Sequence, residues 1–458
     1  MPNFKKLSKG YEKEALSVLA DLVKKQSVYD ASSVSENAPF GKGVQSALSF
    51  LALKGKDYGF KVDTCKGYCT ELSFGEGEGP EIGIYAHADV VPATGKWDYP
   101  PFSAKIVGEG KEAKMISRGT SDDKGPLVAA LMACKLLKDN GFIKGFKVRL
   151  VAGGDEERGS SCLQSYFGKL GKKPTDYGFT PDADFPLIYG EKGIVRAVCT
   201  KLVDLSPIIA MSGGSVSNAV CDSFVVTLPK DKKLEDALKG NASVDVSAAG
   251  EILILTFKGK SAHGSTPEKG VNAALLAFDF LGSFYKIPFL KKLSDLLKDP
   301  TGKLFRGDCR SDIFGESTWN FGILNYESNK HVFSSSIDYR FGENADPKKA
   351  LENFEDATET TVNVLSEDGV LLFDQKSPLV STLMKSYKRM TWKFFDKPFA
   401  IGGGTYAKEA KNCVAYGSAF KEHPGDIHSP NEYIYLEDLY KQIAIYADAI
   451  YSLGQLKK

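Results

Sequence analysis

Histidine is scarce in this chain, with five in 458 residues, at positions 87, 263, 331, 423 and 428. Eight cysteines are spread over the whole length and form no Cys-x-x-Cys sets; most sit inside apolar runs, as reduced core thiols do. Cys65 and Cys69 are the one close pair, and they read as structural. Net charge is nearly absent too: 59 Lys and Arg against 58 Asp and Glu leave +1, so the overall balance gives no electrostatic reason to expect nucleic acid or an acidic membrane surface. The longest uncharged run, 205–221, is broken by Pro, Gly and Ser, and falls short of the ~18 apolar residues a membrane span needs. The start, MPNFKKLSKGYEKEAL, enters an amphipathic helical pattern with no apolar leader core or small-residue cleavage site, so a cytoplasmic location is expected. Internal repeats, low-complexity tracts and long like-charge runs are all missing.

What remains is an ordinary globular composition, 42% apolar and 26% charged, in a chain long enough for two or three domains at ~150 residues each. Helical periods over 8–26 and 43–55 alternate with short, continuously apolar strands at 82–86 (IGIYA) and 148–152 (VRLVA). Between those strands Leu127, Leu131, Cys134 and Leu137 recur at helical spacing, with Gly141 as the stop, which predicts a strand–helix–strand unit. After about residue 190 the pattern changes to strands such as 252–257 and 333–341, where Phe333, Ile337, Tyr339 and Phe341 share one face, as in a half-exposed antiparallel sheet. The α/β pattern returns at 377 and ends in a helix whose buried stripe is Leu436, Leu439, Ile443, Ala447, Ile450 and Leu453. The expected fold is therefore α/β: a mostly parallel sheet with helices on both faces, formed by 1–190 and 377–458, with an inserted α+β domain at 191–376.

Five segments carry chemistry. His87 in YAHADVVP follows an apolar strand, and Asp89 stands where it can orient the imidazole of a metal-bound histidine; alone, the pair fits a structural role better. Asp122 and Asp123 in RGTSDDKG fall at a helix N-terminus, which suits an N-cap, yet two adjacent acids are costly there without a cation. Asp155, Glu156 and Glu157 follow the VRLVA strand on the same sheet edge as His87, in what is either a solvated loop or a site. PDAD at 181–184 and His428 in HSPNEY complete the set. Together they offer two imidazoles and several carboxylates on strand-end loops, the donor types of a paired Zn²⁺ or Mn²⁺ site. Such a pair also needs one carboxylate that spans both ions and a base that is not a ligand.

These strings, in this order, resemble the co-catalytic di-zinc exopeptidase and deacylase family of carboxypeptidase G, acetylornithine deacetylase and carnosinase. HADVVP, GTSDDKGP, GGDEE, PDADFPLIYGEKG and HSPNEY look closest to the bacterial PepV-like dipeptidases; the inserted domain matches chiefly at SAHGSTPEKGVNA. The resemblance implies His87 and Asp182 as ligands of one metal, Glu157 and His428 of the other, and Asp122 as the bridge. It further implies Glu156 as general base, Asp89 as the carboxylate orienting His87, and a non-proline cis peptide at Asp122-Asp123. In the inserted domain, which would act as a lid, His263 takes the place of the oxyanion donor and Asn218 that of a second group facing substrate. Arg340, with the backbone of Gly403, Gly404 and Thr405, is placed to receive the substrate carboxylate.

His331 and His423 match no family position and read as structural. His423 competes with His428, Asp184 with Asp182, and Asp123 with Asp122, within similar strings. The function implied is hydrolysis of dipeptides or very short peptides through a metal-bridging water activated by Glu156, with N-acyl amino acid deacylation as the alternative and a non-catalytic metal-binding paralogue as a third reading. Two divalent ions are expected, Zn²⁺ first, with Mn²⁺ or Co²⁺ acceptable to the same ligands. The partner expected is a small peptide substrate, with no nucleic acid and no membrane, and the long insertion suits a monomer whose lid is self-contained.

Overall fold

An apolar run without alternation, such as Ile82 to Ala86, needs cover on both faces, and the computed structural model, which describes residues 1–457, buries every one of these positions. Strand Glu81–His87 lies between Lys147–Gly153 and Tyr177–Thr180 and runs parallel to both. Tyr177–Thr180 pairs in turn, also in parallel, with Cys413–Ala415. This centre is parallel, as the sequence predicts. Its flanks are not: Cys69–Phe74 runs antiparallel to Lys147–Gly153, Lys61–Asp63 antiparallel to Cys69–Phe74, and Ile188–Glu191 meets Cys413–Ala415 antiparallel. The short connection from Lys61–Asp63 to Cys69–Phe74 can only reverse the chain, whereas a parallel neighbour needs a crossover.

That crossover is helix Lys124–Asp139, in which every residue from Lys124 to Leu137 except Lys135 is buried. It packs against strand Glu81–His87 and helix Leu436–Leu453. The C-terminal helix buries its expected stripe and more, because helices Lys124–Asp139, Pro378–Thr391 and Glu12–Val23 all press on it. Asp448, buried within it, is matched by Arg389. The helix expected over 8–26 is instead Phe4–Leu7, a 3₁₀ turn Ser8–Tyr11 and Glu12–Val23; Gly10, a poor helix former, lies in the tighter turn.

The backbone divides into two compact units: Met1–Tyr189 with Phe373–Phe399 and Thr405–Lys458, and Gly190–Leu372 with Ala400–Gly404. The second is an antiparallel sheet in the order Val244–Ala249, Ile252–Lys258, Ser223–Pro229, Ala210–Gly213, Leu324–Glu327, Val332–Phe341, Gly193–Leu202, Thr361–Asp368. Its core includes Phe278, Phe289, Phe333 and Phe354, with Trp319 stacked 4.1 Å from Tyr339. Strand Val332–Phe341 departs from the half-exposed expectation, since it is buried throughout from Ser335 onward. Its polar face is closed from within: Arg340 donates to both Asp338 carboxylate oxygens, at 2.7 and 3.2 Å, and to the Gly402 carbonyl at 2.7 Å. Asp338→Ala leaves that guanidinium buried without its counter-charge and is expected to cost about 3–5 kcal/mol, read as a lower urea midpoint. Adding Arg340→Met should restore most of the loss.

All eight cysteines are unbridged and seven are buried, as expected of core thiols. Among the described residues no helix is long and apolar enough to cross a membrane.

Candidate metal centre

Four neighbouring parallel strands end on one edge, and the loops that leave them carry the acids. The register pairs His87 with Gly153, so the imidazole stands beside the start of the Gly153-Gly-Asp-Glu-Glu157 turn. Tyr177–Thr180 delivers Asp182 two residues past its end, and Cys413–Ala415 leads toward the His428 loop. Asp122 and Asp123 enter from the N-terminus of helix Lys124–Asp139, joined by a cis peptide bond as the resemblance implies.

Five of the predicted residues meet there. His87 Nε2 lies 2.9 Å from Asp122 Oδ1 and 3.7 Å from Asp182 Oδ2. On the other oxygen of the same aspartate, His428 Nε2 lies 2.8 Å from Asp122 Oδ2 and 3.1 Å from Glu157 Oε2. Two donor triads result, His87–Asp122–Asp182 and Asp122–Glu157–His428, each with its ligand atoms within 4.8 Å of one another and with Asp122 common to both.

Asp89 orients this group in a way the sequence does not reveal. His87 Nδ1 is 3.0 Å from the Asp89 main-chain carbonyl and 3.5 Å from the carboxylate, so the nearer contact is the backbone. The carboxylate instead accepts the amide N–H groups of Glu156 and Glu157, at 3.1 and 3.2 Å, and thereby fixes the turn that carries both glutamates.

The competing residues lie elsewhere or face differently. His423 is bound to Asp438 and packs against Tyr435, with ring centroids 3.9 Å apart. Asp184 is exposed. Asp123 accepts the His87 main-chain amide at 3.2 Å through one oxygen, while its other oxygen is buried without a partner.

The electrostatics of the cluster favour a bound cation. Burial, and then the negative charge of Asp122, push the Asp182 carboxyl up to about 7. Glu156 is driven well above the ordinary range by burial and by the charge of Asp182, and Glu157 is raised by burial and by Asp122. Asp122 itself, although burial raises it, is held well below the usual range by His428 and His87. Five acids packed around two imidazoles, with one buried oxygen left unpartnered, fit divalent cations in both chemistry and charge.

The remaining predicted residues, apart from Thr405, belong to the second unit. His263 Nδ1 accepts the Ser265 amide at 3.2 Å and contacts its hydroxyl at 2.6 Å, an arrangement that places the ring proton on Nε2. The Asn218 carbonyl accepts the Gly264 amide at 2.7 Å, so the Asn218 and His263 segments are paired. Buried Asn320, which the sequence gives no reason to select, clamps the first of these by donating to the Ser217 and Ala219 carbonyls at 2.7 and 2.9 Å. Of the five N–H donors of Arg340, three serve Asp338 and Gly402 and two remain. Gly403 and Gly404 follow the carbonyl that Arg340 holds, and Thr405 caps the next turn by accepting the Ala407 amide.

Residues 83–452 match the profile of peptidase family M20/M25/M40. The Bacillus subtilis (strain 168) protein named "Putative dipeptidase YtjP" is 34% identical over 453 residues, covering 94% of this chain and 95% of its own. In fold, the Saccharomyces cerevisiae di-peptidase Dug1p is similar with a TM-score of 0.59 at 13% identity, over 99% of this chain and 98% of its own. Human carnosine dipeptidase 1 is similar at 0.58 and 12% identity, over the full length of both. With more than half of its length matched and a relative above 30% identity across nearly all of it, the chain belongs to peptidase family M20/M25/M40.

Proposed function

We propose that the protein is a two-metal dipeptidase in which His87 and Asp182 hold one divalent ion, Glu157 and His428 the other, and Asp122 both. The observation that carries this reading is the placement of the two Asp122 oxygens against two separate histidine–carboxylate pairs. Ions held there would supply the chemistry of lowering the pKa of bound water toward ~7 and polarising the scissile carbonyl. Glu156, which belongs to neither triad, is the general base: it takes the proton of the attacking water and passes it to the leaving amine. Its backbone is held by Asp89, so the carboxyl group works from a fixed turn.

In this reading His263 donates from Nε2 to the oxyanion and Asn218 assists it, while Arg340, Gly403, Gly404 and Thr405 take the substrate carboxylate. Zn²⁺ suits the donor set, and Mn²⁺ and Co²⁺ are accepted by the same ligands. Eight unbridged cysteines support a reducing, cytoplasmic setting, and the second unit supports a self-contained monomer, for which light scattering should give a single-chain mass.

The deciding experiment is a panel of dipeptides, tripeptides and N-acyl amino acids, run on chelator-treated protein with Zn²⁺, Mn²⁺ or Co²⁺ added back. Metal-dependent cleavage of dipeptides above the other classes is expected. A preference for N-acyl amino acids would make the protein a deacylase, and two bound ions with no turnover of any substrate would make it a binding protein.

A further inference from the structure

The His428 loop is held in an unfavourable backbone conformation, with Asp426, His428 and Asn431 all left-handed, at φ of 51°, 60° and 63°. Non-glycine residues stay in that region only where their surroundings enforce it. Two anchors stand at the end of this loop. On one side Asn431 makes two hydrogen bonds with Asp98, accepting its amide at 2.9 Å and donating to its carboxylate at 3.0 Å. On the other, the next residue, Glu432, is fully buried and reaches the Asp122 turn: one carboxylate oxygen accepts the amides of Ser121 and Asp122, at 2.9 and 3.2 Å, and the other meets Arg118 at 2.6 Å. Arg118, 1% exposed, sits on the same turn, and the Glu432 carbonyl accepts the Ser117 amide at 3.0 Å.

Neither Glu432 nor Asn431 is placed among the metal-binding atoms, yet each controls a different part of them. We infer that Asn431 and Glu432 are two separate positioning residues: Glu432, neutralised by Arg118, fixes the aspartate common to both metal positions, and Asn431 fixes His428, which serves one. The inference rests on the two-metal reading above. The division of labour follows from the geometry. A shift of the Ser121–Asp122 backbone moves both oxygens of Asp122 and loosens both ions together, whereas a slackened His428 loop loosens only the ion shared with Glu157. Outer partners of metal ligands commonly set affinity by ~10–100-fold.

The test is Co²⁺ titration of the chelator-treated full chain, followed by visible absorption and calorimetry, with the melting temperature recorded in chelator. The wild type should take up two ions. Arg118→Met/Glu432→Leu removes the acceptor without stranding a buried charge; replacement of a buried ion pair by apolar groups of similar volume is often tolerated. It leaves the Ser121 and Asp122 amides without their acceptor, so it should melt in chelator somewhat below the wild type while still folding, and it should bind both ions ~10–100-fold more weakly. Arg118→Met/Glu432→Gln keeps an amide-accepting oxygen and should recover most of that loss. Asn431→Ala should weaken one ion and spare the other, and it tests the inference independently if the buried double variant does not fold. Wild-type affinity for both ions in the Leu double variant, or in Asn431→Ala, overturns the inference, as does equal weakening of both ions by Asn431→Ala. Failure of the wild type to bind Co²⁺ at all would instead sink the two-metal reading beneath it.

Discussion

Glu156→Gln is expected to lower kcat for a dipeptide ~10²–10⁴-fold while both metal ions stay bound. The carboxamide has nearly the shape of the carboxyl group but cannot accept a proton from water. The turn itself should not move, because the Glu156 and Glu157 amides are held by Asp89, not by their own side chains. Since Glu156 lies outside both triads, its replacement removes no donor atom from either ion. Metal content by elemental analysis and kcat by dipeptide hydrolysis therefore separate. Loss of activity with loss of metal would assign Glu156 to the ligands, and near-normal turnover would remove it from the reaction.

Asp122→Ala is expected to have the largest effect on the centre as a whole, abolishing tight binding of both ions and with it the hydrolysis. Its two oxygens lie 2.9 Å from His87 and 2.8 Å from His428, so a single truncation takes one donor from each triad. By contrast, His428→Ala should cost one ion and leave His87, Asp122 and Asp182 to hold the other. Folding of the metal-free chain should survive Asp122→Ala at a reduced melting temperature: the variant loses the pairing of Asp122 with His87 and His428, while its repulsion of Asp182 and Glu157 is relieved. Stoichiometry of roughly none, one and two ions for Asp122→Ala, His428→Ala and wild type is the pattern to be measured. An Asp122→Ala protein that still holds one ion tightly would mean that the aspartate serves a single position.

Part of the two triads was legible in the sequence for a physical reason: His87 and the turn carrying Glu157 follow continuously apolar strands and Asp122 heads an apolar helix, so the sheet that those runs dictate gathers their ends. Asp182 and His428 stand behind no such run and were picked out by the resemblance. The cis peptide at Asp122-Asp123 and the choice of His428 over His423 came from the resemblance alone, and the structure adds the reason for the latter: His423 is already committed to Asp438 and Tyr435.

What the sequence did not show are contacts between distant segments made by backbone groups. The carboxylate of Asp89 grips two amides of another loop, and Glu432, within the HSPNEY string, reaches the Asp122 turn over 310 residues. Asn320 clamping the Asn218 segment is of the same kind. Strand Val332–Phe341 misled for a related cause: its alternation predicts one wet face, but the polar face holds an Asp338–Arg340 pair that lets it be buried. Of the antiparallel flanks of the first sheet, only the pairing of Lys61–Asp63 with Cys69–Phe74 follows from connection length; the other two join segments far apart in the chain.

Anomalous diffraction from crystals of the Zn²⁺-loaded protein tests the central claim most directly. The account predicts two peaks ~3.5–4 Å apart, one beside His87 and Asp182, the other beside His428 and Glu157, with the Asp122 carboxylate between them. A single peak, or a pair that Asp122 does not join, would contradict it.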